Sequence, residues 1–330
     1  MKVLLVTRSD DNESVSLVQR ALKARGATGV RLDTDRYPSS VQLSTSFSGT
    51  RTRRVLETEA GSVDLERLTS IWYRRFLAGG QLPESLGDLR EACVDESRRT
   101  LYGSIAATRC FQLDPLRAVR RCDHKELQLR QARAFGLDVP RTLFSNAPDE
   151  VRRFAKTVKG PLITKMQHSF AIYRQGVEHV VYTNELSRAD LDSLDGLALS
   201  PMTFQEKLDK RLELRATVVG RRVFTAAVDS QVLAGAQLDW RKEGLALIDA
   251  WMPYRLPRPV ERALLKLTAW FGLNYAAADF IVTPRGRHVF LEINAGGEFF
   301  WLQRTPGLPI VEALADVLLG RAPRAADGKA

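Results

Sequence analysis

Two apolar runs near the C-terminus constrain this chain more than any other feature. Gly272-Leu-Asn-Tyr-Ala-Ala-Ala-Asp279 continues into Phe280-Ile-Val282, and Val289-Phe-Leu-Glu-Ile-Asn294 follows. Thr283-Pro284-Arg285-Gly286 between them has the chemistry of a tight turn, so the two runs should pair as a hairpin. Side chains alternate across a strand, so Glu292 and Asn294, two residues apart, face the same side. Asp279 is presented towards the same point by the neighbouring strand. An unpartnered buried carboxylate costs several kcal/mol, so acids that interrupt such apolar runs call for a cation or a hydrogen-bond network. Two carboxylates and one amide oxygen suit Mg²⁺, which keeps waters and substrate phosphates as further ligands. The plain alternative is a hairpin with polar residues at its open end. The first reading makes this a chain that positions a Mg-nucleotide.

Composition sets the class. A chain of 330 residues has room for two or three subdomains. Hydrophobic content of 44% and charged content of 27% are those of a soluble globular protein. The longest apolar runs fall short of a membrane span, and residues 1–7 read as a first strand rather than a signal peptide. Cys93, Cys110 and Cys122 are odd in number and form no CxxC pair, which fits a reducing cytoplasm and argues against a disulfide framework or a zinc site. The net charge of +10 comes from 49 Lys and Arg spread over the whole chain, with no basic tail. Diffuse charge of this kind is a weak nucleic-acid signal. It fits an enzyme that handles a polyanionic nucleotide, and equally an arginine-biased solvated surface.

Val3-Leu4-Leu5-Val6 reads as a buried strand, residues 9–13 as cap candidates for a helix ending at Gly26, and residues 29–33 as a second strand. The first turn of this βαβ opening lacks glycines, so the dinucleotide fingerprint is absent. Residues 44–59 read as a hairpin. Ser70-Ile-Trp-Tyr-Arg-Arg-Phe76 reads as a strand with Trp72 and Arg74 on one face and Tyr73 and Arg75 on the other. A helical stretch over 84–109 completes a first domain, 1–118. The middle region, 119–200, should carry helices from about 123 and 148, a strand at 161–165, a hairpin over 167–176 and a helix over 186–194. A third, mainly antiparallel region, 201–330, should open at Thr203-Phe-Gln-Glu-Lys-Leu208 and contain the metal hairpin and a helix over 310–319. The tail after Arg321 is expected to fray.

Several polar positions fall in a telling order. Lys125 stands at a helix start, Lys165 at the end of an apolar strand, then come Gln205-Glu206-Lys207-Leu208 and Glu213-Leu214-Arg215, and last Asp279, Glu292 and Asn294. In this order the chain resembles the ATP-grasp superfamily. Ile71-Trp-Tyr-Arg-Arg-Phe76, Thr203-Phe-Gln-Glu206, Asp229-Ser-Gln231, Asp239-Trp-Arg241 and Phe290-Leu-Glu-Ile-Asn294 together resemble the microviridin-type (graspetide) peptide ligases, over about residues 1–320. The resemblance implies an α/β (α+β) ATP-grasp fold of three subdomains with the nucleotide between the last two. It implies ATP and Mg²⁺ as cofactors and a ribosomal precursor peptide as partner. Acidic side chains of that peptide would be joined to its Ser, Thr or Lys side chains.

The resemblance also distributes roles. Lys125 and Lys165 would reach phosphates as compact point charges. Residues 205–208 would read adenine through backbone groups, and Glu213 would hold the ribose hydroxyls. Arg215, two residues on, would face the phosphates and the developing acyl-phosphate; its plain alternative is a salt bridge to Glu213. The loop Asn294-Ala-Gly-Gly-Glu298 is an anion-hole candidate, and Ala295, where the family usually has proline, leaves open what stiffens it. The hairpin over 167–176 should close over the phosphates as a lid; His168 on it reads first as a polar loop residue, with a phosphate contact as the alternative. Arg74, Asp239 and Arg241 are candidates for the core peptide, Arg74 equally for a domain-interface salt bridge. A leader segment should dock near 180–194, where Asp190 and Asp192 are available. A cytoplasmic homodimer is implied, with no membrane or nucleic-acid partner. Two competitors remain: another ATP-grasp ligase, adding glutamate to a protein tail or joining small amino acids, and a non-catalytic nucleotide- or nucleic-acid-binding protein.

Overall fold

A computed structural model describes residues 1–59, 61–167, 183–232 and 246–326, and the backbone of 171–174 and 177–180. The first apolar run forms β1 (Lys2–Thr7), buried from Val3 onward as a strand covered on both faces must be. Helix α1 (Ser14–Ala24) ends before Gly26, which takes a φ of 74°, and returns the chain to β2 (Thr28–Asp33) in parallel with β1. An antiparallel meander of β3 (Gln42–Ser48), β4 (Arg51–Thr58) and β5 (Gly61–Asp64) follows. The chain comes back as β6 (Ser70–Tyr73) and, after α2 (Arg90–Ala106), as β7 (Phe111–Leu113). The result is a parallel sheet of order β2-β1-β6-β7. Strand β6 stops at Tyr73, so the expected alternation of Arg74 and Arg75 is not realised. Both backbone N–H groups donate to Val6 O, and both side chains reach Asp11 and Glu298.

Helices α3 (Leu116–Cys122) and α4 (Lys125–Ala134) come next, and α4 is stopped by Gly136 at a φ of 86°. They pack on the last sheet: Ala118, Cys122, Ala132 and Leu137 share a core with Leu214, Ala216 and Phe280. The chain then gives β8 (Thr142–Ser145), α5 (Pro148–Thr157), β9 (Leu162–Lys165), the antiparallel pair β10 (Ala171–Arg174) and β11 (Val177–Val180), β12 (Asn184–Glu185), α6 (Arg188–Asp192) and β13 (Met202–Glu206). The central sheet has the order β12-β9-β13-β8. Two expectations are corrected here. Residues 203–206 do not open the antiparallel third region: β13 lies between β8 and β9, with Thr203 opposite Lys165, because Phe204 buries itself with Val151, Leu194 and Leu197. The helix over 186–194 shrinks to α6, because Leu186 N still bonds Leu162 O and Ser187 caps the helix.

The last sheet is antiparallel throughout, in the order β16-β15-β14-β17-β18. Its strands are β14 (Leu212–Val219), β15 (Arg222–Val228), β16 (Met252–Tyr254), β17 (Tyr275–Val282) and β18 (His288–Asn294). Helix α7 (Arg258–Phe271) lies with α3 and α4 on one face. After α8 (Phe300–Arg304), α9 (Ile310–Leu318) fills the space between the other face and the first domain, joining Val15 and Val18 to Val219 and Val228 in one core. The tail does not fray within the described residues. Ala325 N and Ala326 N donate to the buried Asn274 Oδ1, and the Arg324 guanidinium stacks 3.4 Å from the Phe111 ring centroid. No described helix is long and apolar enough to cross a membrane.

Candidate active site

The turn at 283–286 closes as expected, with Gly286 at a φ of 79° and Gly286 N donating to Thr283 O. Strands β14, β17 and β18 then set one transverse row: Arg215 opposite Asp279, and Asp279 opposite Glu292. A bulge at Leu291 sets the phase, since Asp279 pairs with Glu292 but Phe280 with Phe290. Asn294 stands two residues on, with its Nδ2 donating to Glu292 Oε1 at 3.0 Å. Asp279, Glu292 and Asn294, the trio expected to hold a metal, are therefore assembled on one face.

Each acid is held by a cation. Arg215 Nη1 lies 2.7 and 2.8 Å from the two oxygens of Asp279, so the salt bridge goes to Asp279 and not to Glu213. Lys125 Nζ meets Glu292 Oε2 at 2.9 Å and Asn294 Oδ1 at 3.2 Å. Lys125 is the first residue of α4, where the helix dipole disfavours a cation, so its anionic neighbours keep it there. Burial pushes the Glu292 carboxyl up, but the charges of Lys125 and Lys165 and the Asn294 amide outweigh it and hold the carboxyl far below the usual range. Lys165, at the end of β9, thus reaches electrostatically from the central sheet into the row on the last sheet. Burial works against the Arg215 charge and Asp279 more than restores it. Among the described residues, three cations, Arg215, Lys125 and Lys165, face the two carboxylates. Among the described residues no three His, Cys, Asp or Glu side chains converge, so a divalent ion held here would use two carboxylates, the Asn294 amide and ligand oxygens. This all-oxygen set fits Mg²⁺.

The loop after β18 is stiffened without a proline. Tyr275 Oη donates to Gly297 O, Arg215 Nη2 to Glu298 O at 3.3 Å, and the Glu298 carboxylate accepts from Asn12, Arg74 and Arg75. A Cβ on Gly297 would stand 2.5 Å from Ala277 Cβ and 3.3 Å from Arg215 Nη2, so only glycine lets this loop lie against the row. Arg74 is committed to this interface: its side chain is 2% exposed and pairs with Asp11 and Glu298. That corrects its reading as a peptide contact, because a sealed guanidinium with two carboxylate partners has no face for a substrate.

In the nucleotide segment, Gln205 Nε2 donates to Thr142 Oγ1. The Glu206 and Lys207 N–H groups are taken by Arg141 O and Pro161 O, so backbone reading of adenine through an N–H narrows to Leu208. Glu206 Oε1 accepts from Arg141 N, Lys207 Nζ pairs with Glu185, and Glu213 pairs with Lys210 at 2.9 Å. Asp190 forms a capping box with Ser187, which ties up its carboxylate, and Asp192 is exposed. His168, Gly176, Asp239 and Arg241 lie outside the described residues. Sequence reasoning missed Asp11, Arg75 and Gln128, whose partners lie far away along the chain. No local pattern announces them: Gln128 stands one helical turn after Lys125, and only the structure shows it buried where a solvated residue is usual.

With this geometry in place, the similarities to known proteins are specific. Residues 2–120 match the family model described as the MvdD pre-ATP grasp domain. An RiPP-associated ATP-grasp ligase of Chryseobacterium gregarium, solved in complex with ADP and a leader and core peptide, shares 38% identity over 100% of this chain and 99% of that one, at a TM-score of 0.95. The macrocyclase MdnC of Microcystis aeruginosa MRC, bound with precursor peptide MdnA, shares 42% identity over 98% of this chain and 100% of that one, at a TM-score of 0.89. A ribosomal protein bS6–L-glutamate ligase of Salmonella paratyphi B is 29% identical over 64% of this chain and 70% of its own length. Identity of this degree along the whole length, on a shared fold, means that the chain belongs to the microviridin-type, RiPP-associated family of ATP-grasp ligases.

Proposed function

We propose that the protein activates Asp or Glu side chains of a ribosomally made precursor peptide with ATP and closes macrocyclic esters or amides onto Ser, Thr or Lys side chains. The observation that carries this reading is the row Arg215–Asp279–Glu292 with Lys125 and Lys165 above it, cationic in excess and built of oxygen ligands. The subdomains are a first one over 1–118, a central one whose sheet ends with β13 at Glu206, and a last one that begins with β14, with ATP between the last two. Asp279, Glu292 and Asn294 would hold Mg²⁺, which supplies charge neutralisation between the phosphates. Lys125 and Lys165 bind the phosphates as point charges, and Gln205, Glu206, Lys207, Leu208 and Glu213 line the nucleoside. Arg215 faces the transferring group, where a preorganised cation stabilises developing negative charge. The peptide carboxylate displaces ADP from the γ-phosphorus. The hydroxyl or amine then attacks the acyl carbon, and phosphate leaves with the nucleophile's proton. Asp239 and Arg241 meet the core peptide, and Asp190 and Asp192 the leader. The three cysteines are free thiols, in keeping with a cytoplasmic enzyme, and the working form is a homodimer.

The test is mass spectrometry of a candidate precursor, any short peptide with a Thr/Ser- and Asp/Glu-rich C-terminus that a neighbouring reading frame encodes, incubated with the protein, ATP and Mg²⁺. Loss of one water mass per crosslink is expected. Gain of a glutamate mass would establish the tail-glutamylating alternative instead, and an unchanged mass would remove the proposal.

A further inference from the structure

Gln128 is 1% exposed and lies three residues after Lys125 in α4. Its Nε2 donates to Cys122 O and, at 2.8 Å, to Ile293 O, while its Oε1 accepts from Ile293 N at 3.1 Å. Ile293 is the residue between Glu292 and Asn294, and β18 is the edge strand of its sheet. A buried edge must find partners for its peptide groups. The Gln128 amide presents one donor and one acceptor side by side, so a single side chain takes the place of a neighbouring strand at that residue. Further along the same edge, Phe290 N donates to Asp138 O, and Asp138 makes an isolated bridge with Val289, so α4 and the segment after it cover the edge of β18.

The position of this amide matters more than its contribution to stability. A seal on the edge could come from any buried residue. This one comes from the helix whose first residue carries the ammonium that meets Glu292 and Asn294. One turn of α4 therefore sets two things together: the phase of the two ligand side chains about Ile293, and their distance from Lys125. We propose that Gln128 is a positioning residue for the metal and phosphate site, acting through Ile293 and Lys125. The inference rests on the reading of Glu292 and Asn294 as Mg²⁺ ligands.

Gln112 is the control. It is 2% exposed, and its Nε2 bonds Ile105 O and Thr108 O in the first domain, away from the row. Gln128→Met and Gln112→Met should both lower Tm in the absence of metal and nucleotide, since each strands buried peptide groups. Only Gln128→Met should raise the Mg²⁺ concentration needed for half-maximal binding of a non-hydrolysable ATP analogue, read by calorimetry. The expected rise is about tenfold or more, the usual effect of losing a residue that orients metal ligands. Gln128→Asn, one methylene shorter and still polar, should show the same shift with a smaller loss of Tm, and serves if the Met variant does not fold. An unchanged Mg²⁺ requirement in the Gln128 variants, with a Tm loss like that of the control, would overturn the inference. Glu292→Gln in the same assay separates the premises. If it raises the requirement while the Gln128 variants do not, only the role of Gln128 falls; if it too leaves the requirement unchanged, the metal-site reading falls with it.

Discussion

Two clusters of charge lie on either side of Gly297, and they are built differently. At the interface between the first domain and the last sheet, Asp11 and Glu298 face Arg74 and Arg75, two acids against two cations. The inner pair is sealed, with Asp11 at 0% and Arg74 at 2% side-chain exposure, and the Arg74 guanidinium also lies within 6 Å of the Trp72 and Phe299 rings. In the transverse row, Asp279 and Glu292 face Arg215, Lys125 and Lys165, two acids against three cations, and the acids keep 24% and 27% of their side-chain exposure. A balanced, dry pair has nothing left to bind and serves to join two domains. A row with more cations than acids among the described residues fits phosphate and a shared divalent ion. Charge balance and the dry Asp11–Arg74 pair separate the two clusters, since Glu298 at 26% is as exposed as Asp279 and Glu292.

The largest expected effect is at the open row. Glu292→Gln should reduce ligation by about a thousandfold or more while leaving the thermal melt close to that of the parent protein, since it removes charge from a half-open site. Retained turnover in a discontinuous peptide assay would take Glu292 out of the mechanism. The sealed cluster should respond in the opposite way. Arg74→Met leaves Asp11 buried with one cation fewer and should cost about 3 kcal/mol in urea unfolding. A loss below roughly 1 kcal/mol, the scale of an exposed pair, would show that the pair is not sealed in solution. The residue between the clusters connects them. Gly297→Ala would push a Cβ into Ala277 and against Arg215, and a displacement on the order of 1 Å should lower kcat by about a hundredfold with little change in KM for ATP.

The smallest effect is on pH. Burial raises the Glu298 carboxyl, but Arg74, Asn12 and Arg75 outweigh it, so its pKa in the folded protein is lowered. The stabilisation it confers is therefore complete above its unfolded value of about 4.5 and is lost as pH falls through the lower folded value. Glu298→Gln should lower stability near neutrality and flatten the acid limb of the curve below about pH 4.5, where the parent loses the same contribution. An unchanged acid limb would mean that Glu298 titrates alike in both states.

The hairpin of β17 and β18 was legible because its information is local. Two apolar runs, a Thr-Pro-Arg-Gly turn and polar residues two apart suffice to place Glu292 and Asn294 on one face, and the bulge at Leu291 aligns Asp279 with them. The ordered series from Lys125 to Asn294 was legible for another reason: few folds need those residue types in that order. The expected membership of residues 203–206 in the last sheet failed because a strand's neighbours are chosen by the core it enters. Phe204 belongs with Val151 and Leu197, not with the helices under β14. The tail was misjudged on composition alone, since no local pattern announces that Asn274 accepts the Ala325 and Ala326 N–H groups.

By itself the sequence determined the hairpin, the shared face of Glu292 and Asn294 and the order of the charged positions, because strand alternation and turn chemistry act over a few residues. Only the tertiary structure decided which cation answers which acid. Arg74 finds Glu298 across 224 residues, Gln128 finds Ile293 across 165, and Arg215 turns to Asp279 rather than Glu213. Such pairings depend on how three sheets and the helices between them close on one another, and that geometry is settled by packing of apolar cores long after the local pattern has had its say.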